Sequence, residues 1–90
     1  MAMTASQVSV GNSDTTLFTA TAAGTTHILI AATLLNDQHP LLVSVYRAGA
    51  VVNNAILTSQ NTFDSNLQQN DEVHTINLYG YVLVDVIAAS

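Results

Sequence analysis

The chain has 90 residues, with six acids against one arginine, no lysine and no cysteine, for a formal net charge of −5. That length is one domain. Phosphate backbones and anionic membrane surfaces are gripped by Lys and Arg, so this balance argues against nucleic acid and membrane as partners; the missing thiols exclude a disulfide framework.

Hydrophobic residues make up 49% of the chain and charged residues 8%, where a soluble domain usually carries about 25% charged residues. Two explanations stand side by side. Partners cover much of the surface, or Thr, Ser, Asn and Gln replace charge as solubilising groups. No run approaches the ~18 apolar residues of a transmembrane helix. Residues 1–10 lack the basic stretch followed by an apolar run that marks a secretory signal.

In chain order, residues 1–6 are small and polar and are expected to form an arm, with a first short strand at Val8 and Val10; the division is 1–10 for the arm and that strand, 11–90 for one sandwich domain. Residues 11–14 (Gly-Asn-Ser-Asp) form a turn cluster. Residues 17–20 predict a second short strand, closed at Ala23-Gly24. Residues 25–35 are the strongest segment: Ile28, Ile30, Ala32 and Leu34 share one face at period two. Helix is the rival there, and the β-branched content favours strand. Pro40 then closes a break over 36–40.

Leu41, Val43 and Val45 alternate with Leu42, Ser44 and Tyr46, and Ala48-Gly49 turns the chain into Val51-Val52, a hairpin. Asn53-Asn54 is either a bulge or an exposed stretch. Phe63, Ser65 and Leu67 define another strand and residues 69–72 a loop. His74, Ile76 and Leu78 share a face up to Gly80, a bulge or turn. Val82, Val84 and Val86 alternate with Tyr81, Leu83, Asp85 and Ile87. Seven or eight short strands at this spacing predict an all-β antiparallel sandwich, jelly-roll-like, with an open two-sheet sandwich as the second choice.

Little in the residues suggests chemistry. His27, His39 and His74 have no ligand spacing between them and no cysteine to assist, so no metal or other cofactor is expected. Asp71 and Glu72 are adjacent, so on a strand they face opposite ways, and in a loop they are solvated. Asp85 is expected on the solvent or interface side. No Gly-x-Ser-x-Gly elbow or phosphate loop occurs. The chain is therefore expected not to be an enzyme.

Surface chemistry remains. Tyr46, Arg47, Tyr79 and Tyr81 are residue types enriched at binding hot spots, while Phe18 and Phe63 belong to a core. Leu83 and Ile87 make the last strand apolar on both faces. Such strands are buried on both sides, here against a neighbouring subunit or under the chain's own loops. Tyr46, Arg47, Tyr79, Tyr81, Leu83 and Ile87 are the candidate interface.

Leu17-Phe18-Thr19-Ala20, Ala23-Gly24-Thr25-Thr26 and the apolar alternation from Ile28 to Asn36 resemble the opening of small bacteriophage virion proteins. In those, aromatic-Thr-Ala-Pro-Ala-Gly-Thr-Thr leads into a long apolar strand. Ile76-Asn77-Leu78-Tyr79-Gly80-Tyr81-Val82-Leu83-Val84 looks like their final strand. The likeness runs from Leu17 to Val84, and Ala22 stands where those proteins usually have proline. The resemblance implies a capsid decoration (cement) protein or a head-fibre or tail-associated one, often a homotrimer, on the virion exterior with the major capsid protein as partner. The alternative is a glycan- or receptor-binding module at a fibre tip, using Tyr46, Tyr79 or Tyr81; a small hydrolase comes third.

Overall fold

The computed structural model describes residues 2–59, 61–77 and 81–90. Within them the chain forms eight strands: β1 (Met3–Val10), β2 (Thr15–Thr19), β3 (Thr26–Ala32), β4 (Leu41–Arg47), β5 (Ala50–Leu57), β6 (Thr62–Leu67), β7 (Glu72–Asn77) and β8 (Val82–Ala89). They make two four-stranded antiparallel sheets, ordered β1-β8-β3-β6 and β2-β7-β4-β5. First pairs with last, second with seventh, third with sixth and fourth with fifth. This is a hairpin rolled over on itself, the jelly-roll order, and the predicted architecture holds.

Strict alternation places the core between the sheets. Ile28 and Ile30 of β3, Leu41, Val43 and Val45 of β4, and Val82, Val84 and Val86 of β8 all face inward and are buried. Phe63 and Leu67 close the β6 side, with Phe18 packed partly against the same core. The accessible surface is 5141 Å², matching the about 5000 Å² expected of a compact chain of this mass. The core is thus complete without a second chain.

Three sequence expectations change. The arm is a strand: β1 pairs in register with β8 from Met3↔Ala89 to Val10↔Val82. The reciprocal bonds Ala2 N–H to Ser90 O (2.8 Å) and Ser90 N–H to Ala2 O (2.9 Å) extend that ladder by a residue. Backbone hydrogen bonds hold it, so small polar side chains are no obstacle. Leu34 leaves the buried face that it was expected to share with Ile28 to Ala32. Its φ is +68°, the strand ends at Ala32, and the side chain is 78% exposed. On β7, His74 and Ile76 share a face as expected; it points outward, and Val73, Thr75 and Asn77 face the core, while Leu78 lies outside the described residues. Asp71, expected to be solvated, is 1% exposed.

Ala48 and Gly49 both have positive φ (+52° and +82°), as a two-residue turn that follows the twist of its strands requires. It sets the pairing Arg47↔Ala50. The register then shifts between Val45↔Asn53 and Tyr46↔Val51, making Val52 the extra residue of a bulge. Asn53 Nδ2 donates to Ser65 Oγ across the sheet edge at 3.3 Å.

Candidate interaction surface

The candidate residues divide between the outer faces of the two sheets. On the β1-β8-β3-β6 sheet, Leu83 and Ile87 alternate with the buried valines of β8 and stay 43% and 41% exposed. The central position of β8 covers its edges and its inner face, and among the described residues no loop covers its outer face. Register places Ala5, Ile87 and Leu29 in one row ending at Asp64, and Met3, Ala89 and His27 in the next. The apolar side chains of this outer face are Met3, Leu29 and Ile87, with Leu83 two rows further along β8. Asp85, which accepts from Gln7 Nε2 at 2.9 Å, stands between Ile87 and Leu83 on this face, and the His27–Asp64 pair at 3.7 Å flanks it. Asp85 thus lies on the outer side, as expected.

The β2-β7-β4-β5 sheet carries a second apolar row. Ile76, Leu42 and Ile56 stand side by side across β7, β4 and β5, and Leu42 and Ile56 are exposed. Sequence reasoning passed over this row because each member sits alone in its own strand. Only the pairing brings them together.

Tyr46 lies two rows along the same face, edge-on to the His74 ring with centroids 4.8 Å apart. His74 is held at both nitrogens: Nδ1 lies 2.8 Å from Asp14 Oδ2 and Nε2 2.9 Å from Glu72 Oε1. The hydrogen bond to Asp14 and then that to Glu72 raise its pKa above the ordinary imidazole value, against a smaller opposing effect of burial. Tyr46, Glu72 and His74 line an open depression of about 330 Å³ beside the β4–β5 turn. Its Glu72 and His74 side chains are engaged with each other. Among the described residues no cluster of His, Cys, Asp and Glu forms a metal-ligand set.

Arg47 is a structural residue. Its Nε donates to Asp71 Oδ1 at 3.0 Å and its Nη2 to Oδ2 at 2.9 Å, a two-pronged geometry that guanidinium matches. The Gln68 N–H also donates to Asp71 Oδ2 at 2.9 Å. The Arg47 hydrogen bond lowers the Asp71 pKa; burial opposes it, and the Gln68 N–H adds to it. The pair clasps the β4–β5 hairpin to the β6–β7 loop. The chain's one Arg is therefore paired within the chain, with 40% of its side chain still exposed.

Tyr81 precedes β8 and is 78% exposed. Its ring lies over Gly11, where an added Cβ would come within 2.6 Å of Cε1; a side chain at position 11 would push the ring aside. Tyr79 lies outside the described residues. The described candidates therefore form no single patch: Leu83 and Ile87 share one face, Tyr46 lies on the other, and Tyr81 in a loop at one end.

No protein-family model matches this chain, and no curated protein matches it in sequence. A solved structure described by the words "Bacillus endospore appendages form a novel family of disulfide-linked pili" is similar in shape. The TM-score is 0.67 at 7% identity, over 99% of this chain and 85% of that one. At that identity the likeness is one of fold.

Proposed function

We propose that this chain is a structural subunit that assembles with copies of itself on the outside of a larger particle, that the particle is a viral capsid, and that the chain catalyses nothing. The observation that carries the reading is the pair of apolar outer faces, Met3-Leu29-Leu83-Ile87 on one sheet and Ile76-Leu42-Ile56 on the other. A complete core leaves these residues with nothing to do inside the chain, and apolar side chains grouped on an outer face mark contact surfaces. A standard interface covers about 800 Å² per partner, which is roughly one sixth of the 5141 Å² surface.

The finer reading is a decoration protein, three copies about an axis, seated on the major capsid protein. A subunit that binds only the assembled shell stabilises it by mass action, and several copies add avidity without strong single contacts. The similar solved structure is described as belonging to pili, which also supports a role in an extracellular assembly. This chain has no cysteine, so its own contacts are non-covalent or not disulfide-based.

Size-exclusion with light scattering tests the self-assembly, and co-sedimentation with intact capsids tests the partner. A stable oligomer that pellets with shells at fixed stoichiometry is expected. A chain that stays monomeric at high concentration overturns the proposal. Salt gives a second reading. Copies of net charge −5 repel one another, and the single Arg is paired internally, so raising ionic strength should strengthen association. Assembly that dissolves in salt would mean ion pairs hold it, against this account.

A further inference from the structure

Four strands end the two sheets: β1 and β6 in one, β2 and β5 in the other. Edge strands present unpaired N–H and C=O groups, and soluble proteins guard them with charge, proline, bulges or short length. Two of the four are guarded in this way. β2 has five residues and a register break between Thr16 and Phe18, and β6 carries Asp64 with its exposed carboxylate beside His27. The other two are not. β1 and β5 each have eight residues without a charged side chain or a proline, and their only irregularity is the bulge at Val52. Along residues 3–7 of β1 and 50–54 of β5, side chains on both faces of the strand are exposed. These segments overhang the sandwich.

The free hydrogen-bonding groups can be assigned by alternation. Ala2 and Ser90 exchange both bonds, so Thr4, Ser6, Val8 and Val10 also face β8. Met3, Ala5, Gln7 and Ser9 then direct N–H and C=O to the open side. On the other edge the two-residue turn makes Arg47 and Ala50 a bonded pair. Counting along β4, Ser44 and Leu42 turn toward β7, and their partners Asn54 and Ile56 point N–H and C=O outward.

We infer that β1 of one copy pairs with β5 of the next, joining the β1-β8-β3-β6 sheet of one subunit to the β2-β7-β4-β5 sheet of its neighbour. The inference rests on the self-assembly proposed above and identifies the surface that carries it. The two strands match in length and lack of charge. They belong to different sheets, on opposite sides of the sandwich, so the contact is head-to-tail. Head-to-tail contacts close into rings or run on as filaments; a ring of three is the closed form proposed above.

Two single-edge variants test this. Ala5→Pro removes an outward N–H of β1 without touching the β1–β8 ladder, and Asn54→Pro does the same on β5. Ala5→Lys and Asn54→Lys provide a second pair should proline disturb the fold, which circular dichroism reports. Each variant alone is expected to be monomeric by light scattering, with association weakened by at least about a hundredfold. Mixed in equal amounts, the two should form a heterodimer and nothing larger, because each retains one open edge and the two open edges are complementary. A variant that assembles like the wild type, one that forms homodimers alone, or a mixture that stays monomeric overturns the pairing. A wild-type chain that is itself monomeric overturns the parent reading instead.

Discussion

Asp71 and His74 are three positions apart, and the ionic clusters they anchor follow opposite logic. Asp71 is enclosed, and its partner Arg47 is charged at every accessible pH. His74 lies near the surface between Asp14 and Glu72, both exposed, and its own charge depends on pH. A carboxylate removed from water requires a permanent partner, since an unpaired buried charge is strongly destabilising. A surface imidazole has no such requirement, so its cluster can be made and unmade. The first cluster holds the fold, and the second adjusts it.

The largest expected effect follows from that contrast. Asp71→Ala strands Arg47 and leaves the Gln68 N–H without its acceptor, and should lower the Tm by roughly 10 °C. Glu72→Ala, one residue on and facing outward, should move it by a small fraction of that. Equal effects in calorimetry would erase the distinction. Acid probes the same residue. The folded-state pKa of Asp71 is depressed, so its contribution is present above the ordinary carboxylate pKa and disappears as pH falls through the lowered value. Loss of stability below about pH 4 should therefore be blunted in Asp71→Asn, compared with that variant's own neutral-pH value.

A buried polar group without a partner sharpens the comparison next. Thr75 faces the core from β7, and among the described residues nothing hydrogen-bonds its Oγ1. Asn77, also inward, donates from Nδ2 to His39 O at 3.1 Å and from its backbone N–H to Gly11 O at 2.8 Å. Thr75→Val keeps the branched shape and removes the unsatisfied hydroxyl, so it should stabilise by about 1 kcal/mol, measured by urea unfolding. Destabilisation by that amount would show that the hydroxyl has a partner after all.

What was legible in the sequence divides along the same line. β3, β4 and β8 could be read because Ile28-Ile30, Leu41-Val43-Val45 and Val82-Val84-Val86 each recur at period two, which decides which residues share a face. The jelly-roll expectation followed from strand number and spacing. β1 was misread because its side chains carry no period: residues 3–7 are exposed on both faces, and only the backbone ladder to β8 makes them a strand. On β7 the shared face of His74 and Ile76 was readable but its direction was not: Thr75 and Asn77 face the core, Asn77 because a distant group, the His39 carbonyl, receives it. Asp71 was taken as solvated for the same reason; Arg47 lies 24 positions away. The outer face of β8 was readable at Leu83 and Ile87 from apolarity on both sides of one strand, whereas the Ile76-Leu42-Ile56 row exists only once three strands are in register.

The smallest effect belongs to His74 and has the opposite sign with pH from that of Asp71. Its folded-state pKa is raised, chiefly by Asp14. The contribution is fully present below the ordinary imidazole pKa near 6.5 and is lost as pH rises through the raised value. Asp14 and Glu72 are largely exposed and screened, so the change should be about 0.5 kcal/mol or less. Thermal unfolding followed from pH 6 to pH 9, a range spanning the ordinary imidazole pKa, should show a shallow decline that His74→Gln abolishes and Asp14→Asn reduces. The Tyr46 ring, edge-on to the imidazole, offers a direct readout, because its proton resonances should titrate with His74. If those resonances stay flat while stability declines, another group is titrating, and the second cluster has no switch in it. If the decline survives in Asp14→Asn undiminished, Glu72 alone sets the shift, and the link that Asp14 makes between the β1–β2 turn and β7 contributes nothing to it.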